Sequence, residues 1–309
     1  MKHVILGAGG SIGNILTNEL LLGKESVRLV SRSNYSIPGA ESFKADISSH
    51  RETLNSVKGA DIVYLCAGLP YDSVVWSEIW PKIMLNTMDA CKSVGAKLIF
   101  FDNVYAYGKS AGKMTESSSY DPCSRKGEIR ANVAIMLQDE MRKKNLQAII
   151  ARSADLYGPY ITQNSLPYFM AFENMMKGKK ANWLVEVNKL HSFTYTIDCA
   201  KGLNLLWNKE DCFQQVWHLP TYNPGITGKK FIELIAKELG VKPEYMVLKK
   251  WMIRMAGFFN KTIYESYEML YQYENDYYFD STKFNEFFNY KPISYENGIR
   301  ETIEFLRKK

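Results

Sequence analysis

Lys2-His3-Val4-Ile5-Leu6-Gly7-Ala8-Gly9-Gly10-Ser11-Ile12-Gly13 is a short apolar run that stops at a cluster of glycines and passes directly into a helical pattern. An apolar run of this length, bounded by glycine, reads as a buried strand. Gly7 permits a tight turn, Gly10 lets the backbone approach a phosphate, and Gly13 lets the following helix pack closely on the strand. The N–H groups that open that helix then point at the anion. Strand, glycine turn and helix in this order are the context in which a dinucleotide pyrophosphate is bound. Gly7, Gly9, Gly10, Ser11, Ile12 and Gly13 are therefore the expected cofactor loop.

Outward from this loop, short β-branched runs alternate with longer helical stretches as far as about residue 160. Strands are expected at His3–Leu6, Ser26–Ser31, Asp61–Cys66, Lys97–Asp102 and Gln147–Arg152, on centres of roughly 30 residues as strand–helix–strand units require. Between them the helical pattern is clearest at Ile129, Val133, Met136, Leu137 and Met141, whose spacing turns one apolar face inward. The pattern predicts an α/β fold with a Rossmann-type, doubly wound parallel sheet over residues 1–163. Phe193–Thr196 and Val216–Leu219 read as strands around a helical run from Ile197 to Trp207, so residues 193–220 are expected to complete the sheet. Residues 164–192 and 221–309 read as a smaller, mostly helical C-terminal substrate lobe.

The 309 residues carry 39 Lys and Arg against 33 Asp and Glu, and the net charge of +6 is spread along the chain. Its densest clusters, Arg142-Lys143-Lys144 and Lys177 to Lys180, read as solvated helix ends, so no nucleic-acid partner is expected. The five cysteines (Cys66, Cys91, Cys123, Cys199, Cys212) are scattered and form no C-x-x-C, which points away from disulfides and zinc and toward a reduced cytoplasmic setting. No run approaches the roughly 18 apolar residues of a membrane span, and the apolar start ends at Gly7, too early for a secretory signal. His3, His50 and His218 read as structural, and no metal site is expected. Lys249 to Phe259 has cations on one side and large apolar groups on the other. It reads as a helix capping a ligand cleft in preference to one lying on a membrane surface.

Gly7-x-x-Gly10-x-x-Gly13 at the start of the chain is followed by Ala45-Asp46-Ile47, Cys66-Ala67-Gly68, Asn86, and Asp102-Asn103-Val104-Tyr105-Ala106-Tyr107-Gly108. Then come Arg152-Ser153-Ala154-Asp155-Leu156-Tyr157-Gly158-Pro159 and Phe193 to Ala200. Together these motifs resemble the short-chain dehydrogenase/reductase superfamily in its extended, NAD-dependent epimerase/dehydratase-like branch. The resemblance implies a nicotinamide dinucleotide cofactor, with Asp46 and Ile47 beside the adenine, Ala67 and Gly68 beside the pyrophosphate and ribose, and Asn86 and Ser153 contributing. It also implies a homodimer packed through two long helices of each subunit. At the end of the second strand, where an NAD site places a carboxylate for the ribose 2′-OH, this chain has Ser31-Arg32-Ser33. A guanidinium suits a 2′-phosphate, so NADP is expected over NAD.

The resemblance also locates the catalytic positions, and all three are changed. The family's Ser or Thr falls at Asn103, and its Tyr-x-x-x-Lys falls at Lys126 and Arg130. The substitutions form a coherent set: Arg130 keeps a cation one turn from Lys126, where it can hold the ribose and depress the lysine's pKa, leaving Lys126 as the acid/base and Asn103 as an amide donor to a carbonyl oxygen. Tyr105, Tyr107 and Tyr157 are candidate replacement phenols.

On the substrate side, His191 stands where nucleotide-sugar members carry an Arg clamp for the diphosphate, and Asp155 stands where relatives place an Asn touching the sugar. No Arg occurs between Arg254 and Arg300, a stretch that holds Glu265, Glu268, Glu274, Asp276, Asp280 and eight Tyr. These features favour an NADP-dependent oxidoreductase acting on a small carbonyl or alcohol, with Lys126 replacing the usual Tyr. Two alternatives stay open: a nucleotide-sugar epimerase or dehydratase, and a non-catalytic NADP sensor working through a partner.

Overall fold

Val4, Ile5 and Leu6 are fully buried because their strand lies inside a sheet covered on both faces. The computed structural model describes residues 1–33, 35–109, 112–161 and 165–308. Seven strands form the sheet: β1 (Lys2–Leu6), β2 (Ser26–Ser31), β3 (Glu41–Lys44), β4 (Ile62–Leu65), β5 (Lys97–Asp102), β6 (Ala148–Arg152) and β7 (Gln215–His218). Their order is β7-β6-β5-β4-β1-β2-β3 and every neighbouring pair is parallel. The direction of winding reverses between β1 and β4, and the crevice at that switch point is where such sheets bind ligands.

Helices α1 (Ser11–Leu22) and α5 (Thr196–Leu206) cover one face, burying Ile12, Leu16, Leu20, Leu203 and Leu206 against Ile5, Leu29 and Ile99. On the other face lie α2 (His50–Ser56), α3 (Ser73–Val94) and α4 (Arg125–Arg142), with Trp80, Met84, Val133 and Leu137 against Val4, Val63 and Leu98. The side chains of Asp72 and Ser124 cap the first turns of α3 and α4. Among the described residues no helix is long and apolar enough to cross a membrane.

Of the two late strands expected in the sheet, only the second joins it, as the edge strand β7. Phe193–Tyr195 instead pairs in parallel with Asp155–Tyr157 in a separate two-stranded piece. The reason is aromatic packing: Phe193, Tyr195 and Tyr157 belong to a second core with Phe172, Trp183, Phe231 and Tyr295. Helices α6 (Gly228–Leu239) and α9 (Tyr295–Arg307) complete that core. The C-terminal lobe is also less helical than expected. Ala181–Leu184 pairs with Tyr245–Leu248, Leu190–His191 with Ile226–Thr227, and Tyr278–Phe279 reaches back to Lys113–Met114.

His218 ends β7 with no exposed surface, its ring stacked 4.0 Å from that of Phe279. Its Nε2 lies 2.7 Å from the Tyr107 hydroxyl, and its Nδ1 lies 2.7 Å from the Asp280 carbonyl, to which it donates. Burial pushes its pKa down to about 3, and burial also pushes His3 down to about 4. In the unfolded chain both imidazoles take a proton near pH 6.5, which the folded protein refuses until much lower pH. Stability is therefore expected to fall as the pH drops from about 6.5 toward 4, by up to about 1.4 kcal/mol per pH unit for each imidazole. Urea midpoints across that range test this. A flat profile would mean that both rings accept a proton in the fold as readily as in the unfolded chain.

Candidate active site

Gly7 sits at the C-terminal end of β1 with φ +92°, and a Cβ there would lie 2.4 Å from the Ala67 Cα. Its N–H and that of Ala8 both donate to the Val30 carbonyl at 3.0 Å, which fixes the turn. A Cβ on Gly13 would lie 3.4 Å from Ile5 in ordinary contact, so α1 lies close enough to the strand to leave room for little more than a methyl group there. No side chain caps the start of α1 and no acid lies in its first turn, so its leading N–H groups face the crevice uncompensated. Ser11 donates its hydroxyl to the Tyr160 carbonyl at 2.8 Å, and the Tyr35 ring lies beside Gly9.

The neighbouring adenine-side positions converge on the same edge. Asp46 accepts from the Ser48 N–H at 2.9 Å and from its hydroxyl at 2.8 Å, and these bonds, helped by the Arg32 charge, hold its carboxyl below the usual range. Asn86 reaches from α3 to donate to the Ile47 carbonyl at 3.2 Å. Arg32 is exposed at the end of β2, and a Cβ on Gly68 would meet open space. A glycine cradle, an uncapped helix start and an exposed guanidinium fit the adenosine diphosphate half of a dinucleotide.

The opposite end of the crevice is built differently. Lys126, in the first turn of α4, is fully buried and donates to the Glu265 carbonyl at 2.9 Å, to the Glu265 carboxylate, and to Glu268 Oε1 at 2.9 Å. These are all three protons of the ammonium. Both acids come from the C-terminal lobe, Glu265 from α8 (Lys261–Ser266) and Glu268 from the 3₁₀ turn Tyr267–Tyr273 that follows it, just after α7 (Lys250–Gly257). Glu265 also accepts from the Ser73 N–H at 3.0 Å, at the start of α3, and Glu268 from the Arg125 N–H at 2.7 Å, at the start of α4. Burial alone would raise the Glu265 carboxyl, but Lys126 and Ser73 bring it below the usual range.

Arg130 corrects the sequence-based expectation. Its guanidinium does not stand over Lys126; it packs on the Trp80 and Phe100 rings and binds Asp102 Oδ1, with Nε at 2.8 Å. Arg152 binds the other oxygen of Asp102 at 3.0 Å and donates to the Tyr120 hydroxyl at 2.6 Å. Lys126 thus faces two carboxylates where a second cation was expected. Asn103 Oδ1 accepts the Tyr105 N–H at 3.0 Å and closes the turn after β5. Ser153 is buried, its N–H donating to the Asp102 carbonyl at 3.1 Å.

Of the candidate phenols, Tyr105 is half-buried, its ring stacked on Trp76 and its hydroxyl accepting from that of Tyr71 at 3.5 Å. Tyr107 is taken by His218 and by the Arg152 guanidinium 4.6 Å over its ring, and Tyr157 lies deep in the second core among Tyr195, Phe231 and Tyr295. Asp155 accepts from Tyr273 at 3.2 Å and lies 3.0 Å from His191 Nε2, while the His191 ring stacks on Tyr273 at 4.7 Å. The charge of Asp155 is felt by Tyr71, Tyr105, Tyr271, Tyr273 and Tyr277, all five raised above the ordinary phenol range chiefly by burial. Tyr71 and Tyr273 escape sequence reasoning, which named Glu265 and Glu268 in an acidic, aromatic stretch without pairing them to Lys126. The one available signal was the i, i+3 spacing of the two acids.

Fold and crevice together define a dinucleotide-binding α/β protein of the extended type. The chain matches the NAD dependent epimerase/dehydratase family over residues 3–217 and belongs to it. It is 20% identical over 232 residues to the uncharacterized UDP-glucose epimerase YtcB of Bacillus subtilis, covering 68% of this chain and 73% of that one. Among solved structures it is similar to the dTDP-glucose 4,6-dehydratase DesIV of Streptomyces venezuelae, with NAD and TYD bound (TM-score 0.82, 18% identity, 100% of this chain and 97% of that one). It is also similar to the UDP-glucose 4-epimerase of Thermus thermophilus in complex with NAD (TM-score 0.81, 17% identity, 99% of each chain).

Proposed function

We propose that the protein is a nicotinamide-dinucleotide enzyme of the epimerase/dehydratase type that acts on a small, sugar-like substrate bearing hydroxyls. Residues 1–163 hold the cofactor, with NADP preferred through Arg32, and residues 164–192 and 221–309 cover the substrate. The bound cofactor supplies a hydride acceptor at the carbon carrying the reacting hydroxyl.

The observation that carries this reading is the half-buried carboxylate of Asp155, which accepts from Tyr273 at 3.2 Å and lies 3.0 Å from His191 Nε2. Tyr71 donates to the Tyr105 hydroxyl at 3.5 Å, which leaves the Tyr105 proton to be donated to a substrate oxygen. Asp155 accepts from a substrate hydroxyl. His191 is engaged by Asp155 and Tyr273, which disfavours a diphosphate clamp there and with it a nucleotide-linked substrate. Lys126 acts as a positioning residue, because every ammonium proton already has an acceptor in the C-terminal lobe.

A second reading, a dinucleotide-binding protein without turnover, is favoured by the engagement of Arg130 with Asp102 and of the Asn103 carbonyl with the Tyr105 N–H. One experiment separates the two. The protein is loaded with NADP or NAD and incubated with free sugars, UDP-sugars and dTDP-sugars, while nicotinamide absorbance and sugar products are followed. Turnover that falls by about a hundredfold or more in Asp155→Asn, with cofactor affinity unchanged, is the expected result. Tight cofactor binding with no turnover on any sugar would establish the second reading.

A further inference from the structure

Trp251, Met255, Phe258 and Phe259 follow one another by four, three and one residues and therefore share one face of α7 and its extension. In a helix that caps a cleft this face would be the buried one. Here it is the outer one: Trp251 is 64% exposed, Phe258 79% and Phe259 92%, and Met255 and Tyr264 are likewise exposed beside them. The inward positions are Ile253 and Gly257, and Gly257 packs so closely on Tyr264 that a Cβ would lie 3.1 Å from its Cα. The sequence-based expectation is thus met only by the narrower side of the helix.

Cations rim this apolar face. Lys250 and Lys261 are paired with Glu274 and Asp72, whereas Lys249, Arg254 and Arg125 are exposed and have no carboxylate partner among the described residues. Arg125 and Arg254 line a cleft of about 490 Å³ that opens beside the face. Glu265 and Glu268 also line the cleft, but Lys126 and two helix starts already hold them, so the unpaired charge there is positive.

We propose that this α7–α8 face is a docking surface for an anionic lipid bilayer. Trp251, Met255, Phe258, Phe259 and Tyr264 would enter the interfacial region, and Lys249, Arg254 and Arg125 would meet lipid phosphates. Large aromatic and apolar groups flanked by unpaired cations are what such an interface selects.

The test is sedimentation of the full chain with vesicles of phosphatidylglycerol and phosphatidylcholine in equal parts, beside vesicles of phosphatidylcholine alone. Binding to the anionic vesicles is expected to be at least about tenfold tighter and to weaken with salt. The double variant Phe258→Ser/Phe259→Ser and the single variant Arg254→Glu should each weaken it by about tenfold or more, with unchanged thermal melting because all three side chains are exposed. Wild-type protein that stays in the supernatant with anionic vesicles overturns the proposal, as does equal binding by the double variant. A dimer that the double variant abolishes, in protein that binds no vesicles, also overturns it and assigns the face to a second copy.

Discussion

Asp102→Ala is expected to cost the folded protein about 3–5 kcal/mol, measured as the shift in urea unfolding free energy. Asp102 is buried at the end of β5 and is the shared partner of two guanidiniums, Arg130 Nε at 2.8 Å and Arg152 Nε at 3.0 Å. Both arginines are themselves buried, sandwiched on Trp80 and Phe100 in one case and on Tyr107 and Tyr120 in the other. The ring faces attract a cation, but each such contact is worth about 2 kcal/mol, less than the several kcal/mol that desolvating a guanidinium costs. Removing the carboxylate leaves two cations without a counter-charge in the wall of the crevice. A loss below about 1 kcal/mol would mean that the rings and the Tyr120 hydroxyl suffice, and the triad would no longer explain how Arg130 is held.

The pH dependence of the same site has a definite sign. Burial alone would raise the Asp102 carboxyl, but Arg130 and Arg152 outweigh it and hold the folded value below the usual range. Its contribution is complete above the unfolded value of about 3.9 and is lost as the pH falls through the lower folded value. The wild type should therefore lose this component only in strong acid, and Asp102→Asn should lack it at every pH.

Gly7→Val is expected to weaken dinucleotide binding by about a hundredfold or more, which is about 2.7 kcal/mol, read by calorimetric titration with NADP and NAD. The substituted Cβ would meet backbone atoms of Ala67 at 2.4 and 2.6 Å, so relief requires β1 and the segment after β4 to separate at the floor of the cradle. The residue would also sit at φ +92°, a conformation that L side chains rarely adopt. Arg32→Glu separates cofactor choice from folding, because that side chain is exposed. It should reverse the preference for NADP by about tenfold or more, since a carboxylate repels the 2′-phosphate and accepts from a ribose hydroxyl. Equal affinities for both cofactors in wild type and variant would remove Arg32 from the site.

What the sequence determined on its own is everything that depends on near neighbours. The apolar run ending at Gly7, the spacing of Gly10 and Gly13, and the alternating strands and helices to residue 152 specify the parallel sheet and its cofactor edge, because hydrophobic periodicity and glycine turns are local properties. Strand membership was less legible where two cores compete. Phe193–Tyr195 has the composition of a sheet strand, and only the ring of aromatics around Trp183 and Phe231 takes it out of the sheet.

Only the tertiary structure decided which partner each functional side chain has. Lys126 meets Glu265 and Glu268 across 139 and 142 residues, and Arg130 of α4 and Arg152 of β6 share the carboxylate that ends β5. Helical spacing put Arg130 one turn from Lys126, yet a buried cation goes where a counter-charge and flat rings await it, and that is Asp102. The same holds for Trp251 to Phe259. An amphipathic repeat defines a face, and the packing of the rest of the chain decides whether that face looks inward or outward.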